Sequence, residues 1–135
     1  MNHIRSIKNT PSTPLSIGEL VDKITILEIK KQNINDQNKL QNVKFELDSL
    51  NNIFNKLNVK NKISNEIKCL REINKKLWVI EDDIRDEERK SKFGDSFIKL
   101  ARSVYFTNDK RAEIKKVINL KTNSGLIEEK SYQSY

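Results

Sequence analysis

LQNVKFELDSLNNIFNKL, Leu40 to Leu57, is the stretch whose reading decides the fold. Leu40, Val43, Leu47, Leu50, Phe54 and Leu57 alternate by three and four residues, which lines apolar side chains along one stripe of an α-helix for about three heptads. Working outward, Asn33-Ile34-Asn35-Asp36 reads as the turn before this helix, with Asp36 as its N-cap. Upstream, Ser16-Ile17-Gly18-Glu19 is a capping box that opens a helix over 16–34 carrying Leu20, Ile24 and Leu27. Downstream, a turn near Val59–Ser64 leads into a third helix reaching Lys90, with a stripe of Ile63, Ile67, Leu70, Asn74, Leu77, Glu81, Ile84 and Glu88. Gly94 and Asp95 supply a stop and a new N-cap. A fourth helical region runs from Ser96 to Lys121, and Thr107-Asn108-Asp109 offer side-chain acceptors that would break it in two.

The expected fold is therefore all-α, an antiparallel helical hairpin or bundle with coiled-coil-like seams. The second and third helices, each about 20 residues or longer, are expected to form a long hairpin. The organisation reads as a flexible arm over 1–14, one helical domain over 15–124 and a tail over 125–135. Ile26, Ile29, Phe45, Ile53, Ile73 and Ile80 fall off the main seams, and burying them predicts a homo-oligomer, most simply a dimer.

Composition narrows the function. At 135 residues the chain is one domain's worth. Three Gly and two Pro are too few for a sandwich or barrel, and one Cys excludes a disulfide framework or a zinc site on cysteine pairs. The sequence has neither a membrane-length apolar run nor a signal-peptide core, so the expectation is a cytoplasmic protein that makes no use of a membrane. The net charge of +7 favours polyanionic partners. Yet no Lys/Arg block exceeds two residues, and scarce Arg argues against base-specific reading of nucleic acid. Lys, Asn and Ile are also what an AT-rich coding bias would supply.

Polar interruptions of the apolar stripes are the informative positions. Asn74 and Glu81 interrupt the third helix, Glu28 and Lys31 edge the first, and Asn108, Arg111 and Lys115 extend the apolar line of the fourth. They converge in a polar pocket, or Glu81 pairs across a helix interface and fixes its register. The candidate ligand-binding set is Glu81, Arg85, Arg102, Tyr105, Asn108, Arg111 and Lys115. A short turn at Phe93–Asp95 brings Glu81–Glu88 alongside Arg102–Tyr105. Arg and Lys would meet phosphate, Tyr105 would stack and Asn108 would orient. The plain alternative is a cluster of salt bridges.

The acidic run from Glu81 to Glu88 raises a divalent cation. All-α nucleotide pyrophosphohydrolases pair E-x-x-E/D motifs on facing helices. Here Glu19-x-x-Asp22 and Asp83-x-x-Asp86 are the nearest matches, and Asp82, Asp83, Asp86 and Glu87 are weak candidates for Mg²⁺ or Mn²⁺. No resident cofactor is expected otherwise. His3 is the only imidazole and stands in the arm, so nothing supports acid–base catalysis by histidine. Cys69, beside Leu70, reads as a small buried hydrophobe. No Gly-rich phosphate loop exists.

SIGELVDKITILEIK (Ser16–Lys30), LWVIEDDIRDEE (Leu77–Glu88), FGDSFIKLARSVYFTNDKRAEIKKVIN (Phe93–Asn119) and EEKSYQSY (Glu128–Tyr135) resemble the blocks of a family of small bacterial and phage proteins catalogued as a domain of unknown function. The resemblance covers most of the chain except the arm and the seam of the second helix, and it brings no activity with it. Its blocks are richer in Asp, Asn, Arg, Tyr and Lys than packing requires. That implies ligand chemistry, and phage-borne members would fit manipulation of host metabolism or nucleotide signalling.

The leading expectation is an oligomeric binding protein for a phosphorylated small molecule (a nucleotide, cyclic nucleotide or nucleotide sugar), possessing no catalytic residues. The alternatives are a metal-dependent phosphohydrolase, a structural adaptor on the Leu40–Leu57 seam, and a nonspecific Lys-based binder of nucleic acid.

Overall fold

The structure, a computed structural model, describes residues 7–135. The first six positions of the expected arm, with His3, lie outside the described residues. Residues 7–15 carry no helix and are exposed.

The helices that follow are α1 (Ile17–Asn33), α2 (Gln37–Leu57), α3 (Ser64–Arg89) and α4 (Asp95–Lys121), with a 3-10 turn at Lys60–Lys62. The fold is all-α, as the periodicity predicts. Ser16 caps α1 by accepting from the Glu19 amide at 3.1 Å, and Asp36 caps α2 by accepting from Lys39 at 2.9 Å. Each satisfies an amide that has no partner within its helix. Asn58 ends α2 in the left-handed region, where asparagine is tolerated.

The pairing differs from the expected hairpin. α1 lies against α2, α3 lies against α4, and α1 also packs on both members of that second pair. α2 spends its seam on α1: Val43, Leu47 and Phe54 join Leu20, Val21, Ile24 and Leu27 in one core with Ile63, Leu70 and Ile118. Two seams facing one central helix satisfy the same burial as a hairpin of α2 on α3, and the heptad pattern does not distinguish them. The middle of the seam an adaptor would present is thus used inside the chain, while Leu57 at its end is exposed. Ile63, Leu70 and Ile118 are completely buried, each worth about 1.5–3 kcal/mol over exposure.

Ile29 and Ile80, expected to need a second copy, are buried by their own chain; Ile53 is half exposed. Cys69 is exposed, because the neighbouring Leu70 takes the buried direction and successive helical residues point about 100° apart. α4 runs unbroken through Thr107-Asn108-Asp109. Thr107 is buried, and packing overrides the local competition of these side chains. Gly94 is the N-cap of α4 and does not stop α3. Ser91, at φ 52°, does so: its amide donates to the Glu88 carbonyl (3.0 Å) and the Lys92 amide to the Glu87 carbonyl (2.9 Å), the five-to-two and six-to-one bonds of a Schellman end.

The two long helices outrun α1 and α2. From Glu81 to Phe106 no residue is buried, so the closed end of the α3–α4 hairpin projects from the core. The candidate site lies at the base of this projection.

Candidate functional site

The base is organised by one carboxylate. Asp22 faces inward from α1 with no exposed surface. It accepts from Arg111 Nε at 2.9 Å and from Arg111 Nη2, and from Asn74 Nδ2 at 2.9 Å. Asn74 donates also to Thr25 Oγ1 at 2.8 Å, and Thr25 donates in turn to the Asp22 carbonyl at 2.8 Å. Lys115 Nζ stands 3.7 Å from Asp22, 2.6 Å from Glu19 and 3.1 Å from Glu128. Three helices and the C-terminal segment meet here. Burying such charges is tolerable only when each is paired, and no side-chain nitrogen or oxygen buried among the described residues lacks a partner.

The electrostatics follow from these contacts. The bond to Asp22 holds the Arg111 guanidinium above its ordinary pKa, against burial. Burial works to lower Lys115, but its bonds to Glu19 and Glu128 and the charge of Asp22 outweigh it and the net shift is upward. Lys130 and Lys115 together hold the Glu128 carboxyl below its usual value.

Backbone contacts lock the same junction. Gly18 donates to Asn119 Oδ1 at 2.7 Å and Ile17 donates to Ser124 Oγ at 3.1 Å. A Cβ at Gly18 would stand 2.5 Å from the Lys115 carbonyl oxygen, so the first turn of α1 sits directly on the α4 backbone.

Of the predicted site residues, Glu81, Arg85, Asn108 and Arg111 line one cavity of about 540 Å³, together with Asp82, Asn74, Trp78, Leu77 and Ile26. Arg102 and Tyr105 line a different cleft of about 720 Å³, shared with Phe106, Asn108, Asp109 and the tail residues Tyr132, Gln133 and Tyr135. Lys115 serves the Asp22 network. The predicted set therefore divides, and the reason is helical phase. Residues three apart step back by about 60° around an α-helix, so Arg111, Asn108, Tyr105 and Arg102 wind through roughly 180°. Arg111 looks toward α1 and α3, Arg102 looks outward, and Asn108 borders both spaces.

Glu81 is exposed and holds Arg85 only loosely, at 3.9 Å. It does not sit in a packed seam: a straight helix drifts about 20° per heptad, and by this height on α3 the buried position is Ile80. Glu28 instead makes the lateral ion pair, accepting from Arg71 Nε at 2.9 Å. Of the acidic run, Asp82 lines the cavity and Glu87 accepts from Ser96 at 3.3 Å. Asp86 is paired with Lys90 at 2.8 Å, which holds its carboxyl below the usual range. Among the described residues no three His, Cys, Asp or Glu converge as metal ligands.

The sequence offers Glu19 as a capping-box residue and, with Asp22, as a weak acidic pair, and it gives Glu128 no site role. Glu19 does not return to the Ser16 amide as a capping box would have it; its carboxylate is taken by Lys115. The residues after 124 are also part of the site. Glu129 pairs with Lys116 at 3.3 Å, the Tyr135 hydroxyl donates to Asp109, and the Tyr135 ring packs on Tyr105 and Phe106 at 5.3 and 5.0 Å. One signal for Asp22 was available: an acid in the middle of the apolar run from Leu20 to Leu27.

A family model described as a family of unknown function (DUF6165) matches residues 12–135. No curated protein and no solved structure matches the chain. No helix among the described residues is long and apolar enough to cross a membrane.

Proposed function

The chain belongs to this family of unknown function, and we propose that the cavity between α1, α3 and α4 binds a phosphorylated small molecule of nucleotide type. The observation that carries the reading is the held guanidinium of Arg111. Buried Asp22 engages Nε and Nη2, so Nη1 takes no part in that pairing, and Arg111 lines the cavity. A cation fixed in advance loses little freedom when it meets phosphate. Arg85 supplies a second positive charge and Asn108 a neutral donor. Glu81 and Asp82 are acceptors suited to ribose hydroxyls, the role an acidic residue plays in dinucleotide-binding folds. Trp78, Leu77 and Ile26 form an apolar wall for a base. The volume, about 540 Å³, falls in the usual range for small-molecule sites.

The reading is of a binding protein that sequesters or senses its ligand and works as a homo-oligomer. Phe93 and Ile98 on the projecting hairpin and Val79 at its base, all half exposed, support a second copy.

Calorimetry with ADP and UDP on the full chain tests the binding reading. Arg85→Ala and Asn108→Ala, both at exposed positions, should each weaken binding about tenfold or more while leaving the circular dichroism unchanged. Arg111→Ala is the poorer probe, because it strands the buried Asp22. Failure of the unaltered chain to bind either nucleotide, or binding indifferent to both substitutions, would overturn the reading.

A further inference from the structure

The cleft beside the cavity is built from different chemistry. Tyr105 and Phe106 on α4 and Tyr132 and Tyr135 on the tail surround about 720 Å³, with Arg102, Asn108, Asp109 and Gln133 between them. Tyr132 and Tyr135 remain 78% and 70% exposed. Tyrosine rings in water are kept at a surface at some cost, and their flat faces suit the C–H face of a pyranose. The planar polar groups around them are of the kind that engage adjacent hydroxyl pairs: a carboxylate, two amides and a guanidinium. The tail is held in position for this by Tyr135 on Asp109 and by Glu128 and Glu129 on Lys115 and Lys116.

The cleft also borders the nucleotide cavity. Asn108 lines both, and a smaller space of about 240 Å³ shares Asn108 and Arg111 with the cavity and Asn108, Asp109 and Tyr132 with the cleft. Along α4, Arg111 to Tyr105 is six residues, a rise of about 9 Å with a turn of about 120° around the helix, a path that a diphosphate leading to a sugar ring would follow past Asn108. We propose that the ligand is a nucleotide sugar, with its diphosphate at Arg111 and Asn108 and its sugar on the rings of Tyr105, Tyr132 and Tyr135. The inference rests on the nucleotide reading above and adds the sugar as the group that gives specificity.

The test compares UDP with UDP-glucose, and ADP with ADP-glucose, by calorimetry on the full chain and on Tyr132→Ala. Tyr132 is so exposed that its loss should leave the fold intact. In one pair at least, the sugar nucleotide should bind more tightly than the bare nucleotide. Tyr132→Ala should remove that advantage, a loss of about five- to tenfold, with the bare nucleotide unaffected. Equal binding of both members of each pair overturns the sugar site and leaves the nucleotide reading standing. An equal loss for both members in Tyr132→Ala also overturns it, by placing the nucleotide itself in the cleft. If no probe binds, the nucleotide reading fails and the sugar site falls with it.

Discussion

Arg111 and Asp22 form an unequal pair: the carboxylate has no exposed side-chain surface, whereas the guanidinium side chain is 27% exposed. Their removal should therefore cost different amounts. Without Asp22, Arg111 can turn toward water. Without Arg111, the Asp22 carboxyl is left in the interior with Asn74 and a more distant Lys115. Arg111→Ala should lower stability by about 3–5 kcal/mol, and Asp22→Ala by less. Urea denaturation of the two variants reads the order directly.

The clasp between the tail and α4 should depend on pH at both ends. Glu128 is held low in the folded chain, so its contribution is present above the unfolded carboxylate pKa of about 4.3 and is lost as pH falls through the lower folded value. Lys115 is held high. Its contribution is present below the unfolded pKa of about 10.4 and is lost as pH rises through the folded value. The carboxyl carbon shift of Glu128, followed by NMR, should give a midpoint below that of an ordinary glutamate. Lys115→Gln should raise it.

Tyr135 should ionise late. Its hydrogen bond to Asp109 and the nearby carboxylate charge push the phenol up from 10.0 to about 12. Ultraviolet titration of the full chain against Asp109→Asn should show one tyrosine returning toward its ordinary value. An unchanged titration would mean that the tail does not dock on α4 in solution.

Gly18→Ala tests the junction of the first and last helices. Helix propensity alone would favour alanine by about 1 kcal/mol. The Lys115 carbonyl at 2.5 Å from the added carbon belongs to backbone inside a helix and cannot swing aside. The expected sign is therefore reversed, a loss of about 1–3 kcal/mol, visible as a lower thermal midpoint.

Core substitutions should divide along the hairpin. Leu70→Ala, at a completely buried position, should cost about 2–5 kcal/mol. Ile98→Ala on the projecting end, half exposed in the single copy, should change stability by no more than about 0.5 kcal/mol when measured at a concentration low enough to keep copies apart. Chemical denaturation of both variants measures the contrast.

The helices were legible because each carries local information: the seam of α2, the Ser16 and Asp36 caps, and the polar residues that interrupt α3 and α4. Asn74, Arg111 and Lys115 stood out for the physical reason that makes them matter, since a polar group on an apolar stripe must find a partner. Which partner was not legible. Asp22 lies 52 residues from Asn74 and 89 from Arg111, and spacing along one helix says nothing about contacts of that range. The same limit explains the hairpin that α2 and α3 do not make. The site residues of α4 read as one face in the sequence because a step of three residues resembles a step along a stripe. Repeated without a step of four, it becomes a spiral.

The junction that ties α1 to α4 also orders events during synthesis. The Ile17 and Gly18 amides wait for partners 107 and 101 residues further on. A ribosome adding about 5–20 residues per second needs roughly 5–20 s to make that length. Through that interval the start of α1 has neither its polar partners nor the backbone it rests on, and Asp22 keeps its charge in water. α1 and α2 can pair early, but closure waits until α4 has been made. Ring closure over such a loop carries its entropic cost late, so the nascent chain passes through a stage in which its most buried carboxylate is still solvated.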